Sequence, residues 1–135
     1  MKPIPFWKSV PDSIIAIYHF FNVPITAGRY DKHSPIRLIK KIAKENDFVS
    51  FKLDIDTPAV EIPIALELIK DNELIKLVDE FFFELHFHCE LMEHCGWGAF
   101  EMPSVFPPDK KLDRQYTLKL FHTMRQNGIR AHIWP

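Results

Sequence analysis

Two short segments hold most of the side chains that could do chemistry. In Lys52-Leu53-Asp54-Ile55-Asp56 a lysine and two carboxylates alternate with apolar residues, so on an extended chain all three charges fall on one side. In Glu84-Leu85-His86-Phe87-His88 a carboxylate and two imidazoles alternate in the same way. A histidine, with an unperturbed pKa of about 6.5, is the better general base at neutral pH. Asp54 or Glu84 can orient it. Asp54, Glu84 and His86 are therefore the candidate catalytic groups, with Lys52, Asp56 and His88 placed near substrate or cofactor. The same carboxylates could instead hold a divalent cation. A purely structural alternative pairs Lys52 with Asp54, or either of them with His86, at the end of a sheet.

A second constellation overlaps the first. His86, His88, Cys89, His94 and Cys95 crowd into one short segment, and zinc accepts four ligands of these types. Their spacing matches no standard zinc pattern. On a strand, His86 and His88 would also point away from Cys89.

The elements that must position these groups read as an α/β pattern. Phe48 to Asp56 is a nearly continuous apolar run with aromatic and β-branched members, expected to be a central strand covered on both faces. Asp79 to His88 is a second strand, with Phe81, Phe83, Leu85 and Phe87 on one face and Phe82, Glu84, His86 and His88 on the other. The segment between them, Thr57 to Val78, is helical, with a kink or a true start expected near Pro63 and a break at Asp71-Asn72. A strand, a helix and a strand in that order make a right-handed parallel unit. Its charged ends then meet where open α/β sheets bind their ligands.

Around this unit, Met1 to about Asp12 is read as an extended Pro-rich arm and Ser13 to Thr26 as strand-rich. Ser34-Pro35 caps a helix with Ile36, Ile39 and Ile42 or Ala43 inward and Arg37, Lys40, Lys41 and Lys44 on a solvated face. Cys89 to Pro108 reads as a long loop. Asp113 to Asn127 reads as a helix with Leu118, Phe121 and Met124 inward, followed by Gly128 and a last strand, Ile129 to Trp134.

Size and composition limit the function classes. The chain has 135 residues, 47% hydrophobic and 26% charged, as expected for one folded globular domain, and the order of its elements makes that domain α/β with a largely parallel sheet and flanking helices. A net charge of -1 without blocks of one sign argues against nucleic acid or an anionic membrane as partner. Met1 to Pro5 lacks the apolar core of a signal peptide, and the two cysteines suit reduced thiols, so a cytoplasmic setting is expected.

These motifs, taken in order, resemble the C-terminal half of FkbM-type methyltransferases. That family is similar at Lys52-Leu53-Asp54-Ile55-Asp56, where its members carry Lys-x-Asp-x-Glu-Gly. It is similar again at Glu84-Leu85-His86, where they carry Glu-x-His, at Phe21-Asn22-Val23-Pro24-Ile25-Thr26, and at the ending Tyr116 to Trp134. The resemblance implies a Rossmann-like methyltransferase half-domain, S-adenosylmethionine as cofactor and a small-molecule hydroxyl as acceptor. Two departures stand out. Asp56-Thr57 replaces the family's Glu-Gly. The chain's four glycines form no Gly-x-Gly-like cofactor turn. A fragment or a divergent member is therefore expected, with an exposed sheet edge that a missing N-terminal half or a second copy would meet. A non-catalytic interaction domain and a small His/Cys metal-binding domain are the alternatives.

Overall fold

Phe81 and Phe83 alternate with Glu80, Phe82 and Glu84, and an extended backbone turns that alternation into a strand with one apolar and one mixed face. The computed structural model describes residues 8–15, 17–85 and 112–134. In chain order the elements are α1 (Asp12–Ile15), α2 (Pro35–Ile42), β1 (Ser50–Leu53), α3 (Pro58–Lys70), α4 (Asn72–Leu77), β2 (Glu80–Phe83), α5 (Arg114–Gln126) and β3 (Arg130–Ile133). The strands form one sheet in the order β1-β2-β3, and both pairings are parallel. Ser50 lies opposite Glu80 and Glu80 opposite Arg130. The expected α/β arrangement and the parallel strand–helix–strand unit are both present.

The core lies on one side of the sheet. Leu53, Phe81, Phe83, Leu85 and Ala131 pack there against Ile62, Ala65 and Leu66 of α3 and Leu120, Phe121 and Met124 of α5. Phe83 stacks on Phe121 at 6.3 Å between ring centroids, and Phe81 lies 5.5 Å from Phe83. Burial of each such side chain contributes about 2 kcal/mol. The other side carries Ser50, Lys52, Glu80, Phe82, Arg130, His132 and Trp134. Phe82 stacks on His132 at 4.6 Å and meets Trp134 edge-on at 5.9 Å, and His132 Nε2 lies 3.0 Å from Glu80 Oε1. Among the described residues no helix joins this second face.

Several expectations change. β1 is an edge strand, not a central one covered on both faces, and Phe48 beside it is 62% exposed. β2 takes the centre, paired with β1 on one edge and β3 on the other, and its Phe81 and Phe83 are fully buried. The segment read as strand-rich, Ser13 to Thr26, holds α1 and then no strand, because a strand needs a neighbour to bond. Within the arm, residues 8 and 9 are helical, and residues 1–7 lie outside the described part. α3 begins at Pro58 and continues through Pro63. Leu118 is exposed, and Thr117 and Leu120 take the inward places on α5. Ile42 is likewise exposed, and Ser34 stands at the N-cap of α2 without a side-chain capping bond. The loop from Cys89 to Pro108 lies outside the described residues. Gly128 has φ 94°, the left-handed conformation that ends α5 cheaply only with glycine.

Asp71 sits at the expected break between α3 and α4, but it is buried, not solvated. Its Oδ1 accepts from Glu73 N and Leu74 N, capping α4. Its Oδ2 takes Arg29 Nη2 and Lys40 Nζ, the latter at 2.6 Å. Lys40 reaches Glu73 as well, at 2.8 Å. One carboxylate thus ties α2 and the loop before it to the α3–α4 corner. Burial alone would raise the Asp71 carboxyl, but the Lys40 ammonium and the Leu74 and Glu73 N–H groups outweigh it and hold the group below its usual 3.8. Burial would lower Lys40, yet Asp71 and Glu73 raise it above 10.5.

A group with a depressed folded-state pKa contributes stability that is present above its unfolded value and lost as pH falls through the folded one. Asp71 therefore adds to the acid limb of unfolding below about pH 4. Asp71→Asn keeps a capping oxygen but removes the charge. It is expected to cost about 1–2 kcal/mol at neutral pH and to lose less stability than the native chain between pH 5 and pH 3, as read by urea unfolding across that range.

Candidate functional site

β1 and β2 run parallel and in register, so their carboxyl ends open at the same edge of the sheet. The chain leaving β1 carries Asp54 and Asp56, and the chain leaving β2 carries Glu84. One oxygen from each of these three carboxylates lies within 4.8 Å of the others. Asp54 and Asp56 are exposed, and Glu84 is half-buried. Lys52, one step back on β1, places Nζ 2.7 Å from Asp54 Oδ2 and 4.2 Å from the centroid of the Trp134 ring. The ammonium therefore offsets part of the negative charge from the side of the uncovered sheet face, held by a cation–π contact with the chain that follows β3.

The acids stand where they do because of a residue the sequence patterns did not single out. Glu61, on the first turns of α3, is 1% exposed. Its Oε1 accepts from Ile55 N and its Oε2 from Thr57 N, both at 3.0 Å. Thr57 Oγ1 closes the turn by donating to Ile55 O at 3.1 Å. Glu61 thus resembles the acid of a capping box, which reaches back to the N-cap N–H, displaced one residue along the helix. The Thr57-x-x-x-Glu61 spacing was the available signal, one residue longer than the usual motif. Between the two clamped amides sits Asp56, with φ 54°. A residue with a Cβ costs roughly 1–2 kcal/mol in that conformation. The buried carboxylate opposes this cost and holds Asp56 toward Asp54 and Glu84.

Of the residues expected at the site, the structure brings together Lys52, Asp54, Asp56 and Glu84. His86 and His88 lie outside the described residues, and so do Cys89, His94 and Cys95 of the zinc constellation. The Lys52–Asp54 ion pair of the purely structural alternative is formed. Trp134, which lies over Lys52, was expected only as part of a last strand. A concavity of about 390 Å³ lined by Ile69, Tyr116, Leu120 and Thr123 shares no residue with the acids, which stand at the open sheet end. Three carboxylates so close repel one another unless a cation or hydrogen-bond donors come between them. Their oxygens suit a hard divalent cation or the hydroxyl groups of a small molecule.

No known protein family, curated protein or solved structure matches the chain.

Glu61→Gln presents one amide donor to a pair of N–H donors. It is expected to destabilise the fold by about 2 kcal/mol and to release the Asp54–Thr57 turn. Chemical denaturation and the amide exchange of Ile55 and Thr57 read both effects. Asp56→Gly relieves the left-handed backbone and is expected to leave stability within about 1 kcal/mol of the native chain.

Proposed function

We propose that this chain is the acceptor-binding part of an FkbM-type, S-adenosylmethionine-dependent O-methyltransferase domain. In this reading Asp54, Asp56 and Glu84 engage the hydroxyl of a small-molecule acceptor at the carboxyl end of the sheet. The observation that carries it is the convergence of these three carboxylates from two adjacent parallel strands, at the edge where open α/β sheets bind ligands. The order of the motifs along the chain, from Lys52-x-Asp54 to Glu84-x-His86, supports the same reading.

The cofactor is not accommodated by the described glycines. Gly28 lies in a loop ahead of α2 with the Asp31 carboxylate against it, and Gly128 leads into β3, so neither forms a turn between a strand's end and a helix. No step of methyl transfer is derived from them. The acid cluster does suit a divalent cation, and Asp54, Asp56 and Glu84 would hold it. Bound there, such a cation would lower the pKa of a coordinated hydroxyl. Without one, Asp54 or Glu84 would accept the acceptor's hydrogen bond and orient its oxygen, while Lys52 limits the charge that builds up on Asp54.

Calorimetric titration tests the reading, using Mn²⁺ and Mg²⁺ first and S-adenosylhomocysteine second. Cation binding that falls at least tenfold in each of Asp54→Asn, Asp56→Gly and Glu84→Gln is expected. Micromolar binding of S-adenosylhomocysteine would extend the reading to the whole reaction. A chain that binds neither the cations nor S-adenosylhomocysteine would overturn it.

A further inference from the structure

The two edges of the sheet are not equivalent. Backbone groups of successive residues on a strand point to opposite sides. On β3, Arg130 N bonds Asp79 O and Trp134 N bonds Phe83 O, so Ala131 faces outward. Its carbonyl is covered by the Arg125 guanidinium, which donates from Nε at 2.9 Å and from Nη2 at 2.7 Å. On β1, the carbonyls of Val49 and Leu53 accept from Glu80 N and Glu84 N, so Ser50 and Lys52 face outward. Among the described residues no side chain or strand covers their backbone groups. An uncovered edge of this kind is a template for another strand.

The same chain carries a segment with strand composition and no strand partner. Residues 19–25, His-Phe-Phe-Asn-Val-Pro-Ile, form no backbone hydrogen bond to another element among the described residues. Phe20 and Phe21 are 64% and 65% exposed, and Val23 is exposed too. Ile17, two residues before the segment, is 72% exposed and lines a concavity of about 1110 Å³ with Ile42, Phe48 and Val49, next to the first residue of β1. The far end is tied elsewhere. Ile25 and Ala27 pack on the core, Thr26 N bonds His33 O and Arg29 reaches Asp71. Those ties anchor the segment's far end to its own chain, and no backbone hydrogen bond joins the segment to β1 among the described residues.

We propose that the chain forms a two-fold homodimer in which residues 19–25 of each copy add as a strand along the open edge of β1 in the other. One chain supplies both the donor segment and the acceptor edge, so the exchange is reciprocal and closes at two copies. The apolar area fits. Ile17, Phe20, Phe21, Val23, Ile42 and Phe48 together expose on the order of 600 Å² per copy, as much apolar area as the largest patch of a typical monomer. Two copies would cover on the order of 1,200 Å², enough for a stable interface. Pro24 lacks an N–H and suits only a strand with one free side, as the new outermost strand would have.

Sedimentation of the purified chain from about 1 to about 100 µM tests this. A species of twice 15.9 kDa is expected. Ser50→Pro removes an outward N–H without touching the β1–β2 ladder, and the Phe20→Asp/Phe21→Asp pair charges the donor segment. Each is expected to weaken the dimer at least tenfold with unchanged far-UV circular dichroism. The Ser50 and Lys52 amides should exchange slowly in the dimer and quickly in the Phe20→Asp/Phe21→Asp variant. A native chain that stays monomeric throughout overturns the proposal. So does a dimer that survives both changes, or slow exchange of Ser50 and Lys52 in a monomer, which would place the added strand within one chain. None of these substitutions involves Asp54, Asp56 or Glu84, so failure here leaves the cation titration to be judged by itself.

Discussion

Parallel pairing is the constraint on which the rest of the structure depends. A strand beside a parallel neighbour can be reached only by a crossover. In the order β1-β2-β3, α3 and α5 lie over the same side of the sheet. α3 and α5 accordingly share one core with Leu53, Phe81, Phe83 and Ala131. The other side is left to Phe82, His132, Trp134 and the charged residues around them. Parallel pairing also brings the carboxyl ends of β1 and β2 to one edge. The acids meet there as a consequence of topology, although Asp54 and Glu84 are far apart along the chain.

Two buried carboxylates do structural work of different kinds. Glu61 accepts from the backbone amides of the turn after β1, which lets a left-handed Asp56 persist next to two other acids. Asp71 combines a helix cap with two cations and so joins α2 and the loop before it to the α3–α4 corner. A buried charge without partners is expensive. Each is therefore held by several donors, and each fixes the geometry of a corner, where an apolar residue would have supplied burial alone.

The edges and the open face show where the described part of the molecule is least complete. Arg125 protects one edge with a forked, charge-assisted pair of hydrogen bonds. β1 has no such guard among the described residues. The acid cluster, the Lys52–Trp134 contact and the open edge all lie on or beside β1. A partner strand there would rigidify the element that carries Asp54 and Asp56.

Periodicity by itself determined the elements with strong local signals. Alternation in Phe81 to Leu85, the Pro35 helix start, the Asp71-Asn72 break and Gly128 after α5 each depend on contacts within a few residues, so they are legible along the chain. The placing of Asp54, Asp56 and Glu84 at one sheet end followed from the same patterns. Only the tertiary structure decided which strand is central. β1 and β2 both read as apolar runs, and the difference lies in which one gains neighbours on both edges. Only the tertiary structure could leave residues 19–25 outside any strand pairing among the described residues, since a strand exists through hydrogen bonds to a partner that local sequence does not name. The roles of Glu61 and Asp71 were hidden for the same reason. A charged residue on a helix reads as solvated until the fold places backbone amides or cations in front of it.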